Sequence, residues 1–125
     1  MLRQGPIPRF LHGLIEYVAA VAFIAAPFVL DFASDSATAV SVVVGVVVLV
    51  VAATTDGPTS LVDQLPVSVH VALDYALALF LIAAPFLFGF TDEEAPTAFF
   101  IAIGVLHLLV TIGTRFRAPD RPAAS

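Results

Sequence analysis

Four apolar stretches, 11–30, 37–53, 67–90 and 97–114, take up most of this 125-residue chain. Each is close to the ~20 residues that a helix needs to cross ~30 Å of hydrocarbon. None alternates apolar and polar residues, as the lipid-facing strands of a barrel would. In lipid every backbone N–H and C=O must find its partner within the protein, and a helix does this inside one segment. The second stretch holds nine valines between Val40 and Val51. In water that would favour a strand, but in a bilayer length and continuity decide, and a helix is expected. Only 12% of the residues are charged, against about a quarter in soluble domains, too few to coat a water-soluble globule. The expected fold is an all-α membrane protein, with four transmembrane helices in a single domain over 1–125.

The charges suggest an orientation. Arg3 and Arg9 precede the first stretch, and Arg115, Arg117 and Arg121 follow the last. The short connections 31–36 and 91–96 carry no base, only Asp31, Asp35, Asp92, Glu93 and Glu94. The positive-inside rule then puts both termini in the cytoplasm, in agreement with an even number of spans, which requires both on one side. The middle connection, 54–66, contains the turn signal Asp56-Gly57-Pro58. Arg3, Arg9 and the run Ala20-Val21-Ala22 imitate a cleaved signal peptide. Glu16 interrupts its apolar core, however, and the same pattern returns later in the chain, so a retained span is expected. The chain has no lysine and is biased toward Ala, Val, Arg and Asp, which suits a high-GC bacterium and hence a plasma membrane. The net charge of −5 is the opposite of a nucleic-acid footprint. The lipid bilayer is the expected partner; a protein partner or a homo-oligomer stays open. With no cysteine there are no disulfides and no thiolate sites.

The chain repeats itself. At an offset of 58, Pro8, His12, Tyr17, Ala20 and Phe32 fall on Pro66, His70, Tyr75, Ala78 and Phe90. The run Ile24-Ala25-Ala26-Pro27-Phe28 falls on Ile82-Ala83-Ala84-Pro85-Phe86, and Glu16 falls on Asp74. One residue is then inserted. At an offset of 59, Thr38-Ala39, Gly45-Val46, Leu49, Val51 and Thr55 fall on Thr97-Ala98, Gly104-Val105, Leu108, Val110 and Thr114. The units, about 8–55 and 66–114 with a tail over 115–125, each hold two spans and start on the same side. A pseudo-twofold axis along the membrane normal follows, as for other parallel repeats.

A two-helix membrane repeat with a small residue, proline and an aromatic late in its first helix resembles the SPW repeat family of small bacterial membrane proteins. Here the signature reads Ala26-Pro27-Phe28 and Ala84-Pro85-Phe86, with Ala and Phe in place of Ser and Trp. The resemblance implies the four-helix architecture and supplies no catalytic residues.

Ionisable groups inside spans are costly and are candidate functional residues. They are His12, Glu16, His70, Asp74 and His107. The first four form two pairs spaced i, i+4, each on one helix face. Counted from the helix ends, Asp74 and His107 both lie roughly 10 Å deep at ~1.5 Å per residue, so three helices are expected to bring all five into one layer. Two imidazoles and two carboxylates can ligate Zn, Mn or Fe, or pass protons. A structural role comes before either: the pairs can sit at the headgroup level, complement helix dipoles, bond each other, or bond across the axis. His107 matches Val48 in the first unit, which argues against a symmetric site. Tyr17 and Tyr75 read as interfacial aromatics. Pro27 and Pro85 read as bends at the outer interface. Gly45, Gly104 and the spacings Ala22/Ala26 and Ala72/Ala76 read as places where helices approach closely. The acidic loops read as solvation. The spans carry no motif of a soluble enzyme, so no catalytic residue and no resident cofactor is expected. A non-enzymatic structural or partner-binding role is expected first, and a metal-binding or proton-handling role second. A transporter or intramembrane enzyme comes last, because the midplanes around Phe23, Val46, Leu81 and Ile103 are apolar.

Overall fold

Four helices form where the apolar stretches place them: α1 (Arg9–Val29), α2 (Asp35–Thr54), α3 (Val67–Leu87) and α4 (Glu94–Gly113). The structure, a computed structural model, describes residues 5–55, 58–62 and 64–115. Arg3, Arg117 and Arg121, most of the tail, and the turn residues Asp56 and Gly57 lie outside the described residues. All four helices are long and apolar enough to cross a membrane, and the chain is a multi-pass membrane protein. Large apolar side chains such as Val18, Val21, Leu79 and Phe86 are exposed on the outside of the bundle. In a bilayer that surface meets acyl chains and costs nothing.

The ends of α1 and α3 show the repeat at atomic level. Asp31 and Gly89, equivalent at the offset of 58, both adopt left-handed backbone (φ 51° and 69°) just past the helix. Phe32 N–H then donates to Pro27 C=O (2.9 Å) and Phe90 N–H to Pro85 C=O (3.0 Å), the bond that closes a helix through a left-handed residue. α3 therefore stops at Leu87, short of the apolar stretch that continues to 90. The prolines sit in the last turn, inside the helix. Pro27 cannot donate to the carbonyl of Phe23. That carbonyl instead accepts from Ser41 Oγ at 2.6 Å, so the bond is restored by α2 within the protein.

Close helix approach occurs within each hairpin, α1 with α2 and α3 with α4. A Cβ at Gly45 would lie 2.7 Å from the Ala20 carbonyl oxygen, and one at Gly104 3.2 Å from that of Ala78. Both alanines are fully buried, so the small residues that matter are Gly45 with Ala20 and Gly104 with Ala78. The expectation for Ala72 and Ala76 is corrected: both face outward, where their small size brings no helix closer.

Three layers join the hairpins to each other. At the end that carries the termini, Ile7–Pro8 pairs in parallel with Thr114–Arg115, and Thr55 bridges Leu65 in the same sense. The repeat maps Ile7 onto Leu65 and Thr55 onto Thr114, so the axis makes one contact twice. In the middle, Phe23 packs edge-on against Phe99 and Phe100 (centroids 4.9 and 5.5 Å), and Phe90 against Phe100 (5.2 Å). At the loop end, the Glu93 carboxylate accepts from the N–H groups of Ala33 (2.6 Å) and Ser34 (2.9 Å). Read as solvation in the sequence, Glu93 in fact ties the second loop to the start of α2.

Candidate functional site

Between the terminal pairing and the aromatic layer lies a polar layer. His12 and Glu16 stand on α1, His70 and Asp74 on α3, and His107 on α4. Each is withdrawn from solvent, with exposures of 2% for His12, 4% for Glu16, 5% for His70, 2% for Asp74 and 9% for His107. The spacing i, i+4 stacks each histidine over the carboxylate of its own helix, with His12 Nε2 3.5 Å from Glu16 Oε1 and His70 Nε2 3.2 Å from Asp74 Oδ2. The shorter contacts run across the axis: His12 Nε2 to Asp74 Oδ2 at 3.1 Å and His70 Nε2 to Glu16 Oε2 at 2.8 Å. One ligand atom from each of these four residues lies within 4.8 Å of all the others. These side chains turn into the protein and are covered by it.

The other ring nitrogens are also accounted for, again twice. His12 Nδ1 is 2.7 Å from Thr114 Oγ1, and His70 Nδ1 is 2.6 Å from Thr55 Oγ1. Each threonine hydroxyl donates its proton to a carbonyl one turn back, that of Val110 (2.5 Å) or Val51 (2.6 Å). The hydroxyl must then accept from the ring, so Nδ1 carries the proton in both histidines. Nε2 is left to face the carboxylates and its counterpart. Each threonine belongs to the hairpin opposite its histidine. Sequence reasoning found Thr55 and Thr114 only as matched positions in the repeat, because a threonine at a helix end usually does no more than bond its own backbone.

His107 joins the layer but not the set of four. Its Nε2 lies 3.4 Å from Asp74 Oδ1 and, though buried, makes no hydrogen bond among the described residues. Its ring is 6.2 Å from that of His12. Tyr17 stays out of the cluster; its hydroxyl donates to the Thr59 carbonyl at 2.7 Å and anchors the middle connection over α1. A cleft of about 30 Å³, lined by Arg9 and Thr59 as well as His12, Glu16 and His70, reaches the layer from the terminal end. That is room for about one water.

Comparison with curated proteins and with solved structures gave no match. Among protein families, the SPW repeat domain matches residues 11–114. That span takes in α1 from Leu11 onward, the other three helices, both Ala-Pro-Phe signatures and every member of the polar layer. The hairpin duplication, the buried proline near the end of each first helix and this match together place the chain in the SPW repeat family.

Proposed function

We propose that this is a non-enzymatic plasma-membrane protein that holds one divalent transition-metal ion at the joint between its hairpins. The observation that carries the reading is the set of His12, Glu16, His70 and Asp74, buried together with both Nδ1 atoms already hydrogen-bonded. Outer-sphere bonds of this kind fix the tautomer and ring orientation of metal-ligating histidines. Ligands 2.0–2.1 Å from a tetrahedral ion stand roughly 3.3 Å apart. The Nε2–oxygen separations, 2.8 to 3.5 Å with Glu16 facing His12 through Oε1 and His70 through Oε2, lie near that value. Two neutral imidazoles, two carboxylates and a divalent ion sum to zero charge, the least costly state in a low-dielectric interior. Imidazole nitrogen favours Zn, Fe or Mn over the all-oxygen ions Ca and Mg. His107 Nε2, 3.4 Å from Asp74 Oδ1 and without a hydrogen bond among the described residues, offers a further donor beside the site.

Without an ion, the contacts at 2.8 and 3.1 Å act as imidazolium–carboxylate bonds with a proton on each Nε2. Metal entry displaces those protons. Detergent-purified protein repleted with Zn, Mn or Fe is expected to retain one ion per chain by mass spectrometry. It should release about two protons per ion, read with an indicator dye in weak buffer. His12→Ala/His70→Ala should retain none. An empty wild type after repletion, or equal metal in the variant, would sink the metal reading and leave the layer as a charge-paired joint.

The same reading puts both termini in the cytoplasm, supported by the arginines at the ends and the acidic, base-free loops. In a chain with no cysteine of its own, Asp92→Cys is expected to react with a membrane-impermeant maleimide added to intact cells. Labelling only after lysis would reverse the orientation.

A further inference from the structure

The pseudo-twofold axis is broken on one side of the bundle. On the α4/α1 side, Phe99 packs into the aromatic layer against Phe23 and Phe32, and His107 fills the polar layer. The space left beside Ala19, Ile103 and His107 is about 10 Å³. At the equivalent positions of α2 stand Val40 and Val48, too short to reach across. On the α2/α3 side the result is a groove of two spaces, about 360 and 280 Å³. They meet at Val47, Leu77 and Phe80. Along α2 the lining runs from Ala39 to Val51, about 18 Å at ~1.5 Å per residue. The half nearer the loops is apolar throughout, and only at the far end do Glu16 and Asp74 reach its floor.

We propose that this groove seats one acyl chain of an amine-headed, zwitterionic phospholipid. The groove is one side chain wide: it exists because Val40 and Val48 stand where Phe99 and His107 fill the other side, which suits a single chain better than a helix ~10 Å across. A single hydrocarbon chain needs no polar partner along the lining and enters sideways from the bilayer. The head is selected where the groove reaches Ala39 and Phe88, beside the loops. That end of the protein presents Asp31, Asp35, Asp92, Glu93 and Glu94 and no base. An ammonium is attracted there, and a net anionic headgroup is repelled. Neither argument depends on metal in the polar layer.

The test is native mass spectrometry of protein reconstituted with equal parts phosphatidylethanolamine and phosphatidylglycerol of identical chains, then released in mild detergent. One retained phosphatidylethanolamine per chain is expected in wild type. It should be lost in Val40→Phe, which gives α2 the side chain that α4 carries at Phe99, and kept in Val18→Phe, on the exposed outer face of α1. Unchanged helical circular dichroism shows that Val40→Phe still folds. Absence of retained lipid, equal retention in Val40→Phe, or preference for phosphatidylglycerol would each overturn the proposal. So would a dimer that Val40→Phe disrupts, since a second copy would then be the occupant. Loss of lipid with metal retained, or the reverse, separates this proposal from the metal site.

Discussion

Asp74→Ala is expected to destabilise the bundle by roughly 3–5 kcal/mol, the cost of breaking a buried ion pair from one side. Glu16→Ala should cost measurably less. Asp74 Oδ2 serves His12 at 3.1 Å and His70 at 3.2 Å, while its Oδ1 faces His107 at 3.4 Å. Glu16 faces two histidines, His70 at 2.8 Å and His12 at 3.5 Å. Removing Asp74 therefore takes a facing carboxylate from three buried imidazoles, and removing Glu16 takes one from two. The measurement is unfolding in mixed micelles of rising denaturing-detergent fraction, followed by circular dichroism, with chelator present so that metal does not contribute. A Glu16→Ala loss equal to or larger than that of Asp74→Ala would refute the central place of Asp74.

The second large effect is expected at residues that touch no carboxylate. Thr55→Val and Thr114→Val preserve side-chain shape but remove the acceptor of a buried ring N–H. Each should cost about 1–3 kcal/mol as an unsatisfied buried donor. Each should also weaken metal binding by roughly 10–100-fold, the usual consequence of losing an outer-sphere partner. Serine at either position keeps the hydroxyl and should restore both. The two threonines belong to one network, through His12 and His70 to the shared Asp74 and Glu16, so the stability losses in the double variant should depart from simple addition. Metal affinity unchanged in the double valine variant would show that the threonines do not hold the tautomer.

Much of the site was legible because the repeat is. Matching His12 and Glu16 with His70 and Asp74 placed two pairs on equivalent helix faces, and the depth of His107 put it in the same layer. Bonding across the axis was legible only as one alternative, and the threonines not at all as partners: each histidine takes its nearest carboxylate and its threonine from the opposite hairpin. Helical spacing reports neighbours three or four residues away and is silent about a partner 62 residues on, such as Asp74 for His12. For the same reason Glu93 read as a solvated loop acid, and nothing in the sequence marked Ser41. Their partners, the Ala33 and Ser34 amides and the Phe23 carbonyl, are backbone atoms, which carry no sequence signal.

The number of helices, their approximate ends, their grouping into two hairpins and the family were determined by the sequence alone. These depend on local quantities: apolar length against bilayer thickness, backbone bonds that must close within a segment, and motifs recurring at one offset. Tertiary structure decided which polar groups meet, which small residues set the helix contacts, and that one side of the axis is filled while the other stays open. Those outcomes depend on side-chain volume at facing positions. Whether Phe99 and His107 reach across, or Val40 and Val48 fall short, is settled only when two hairpins are brought to a definite distance from each other.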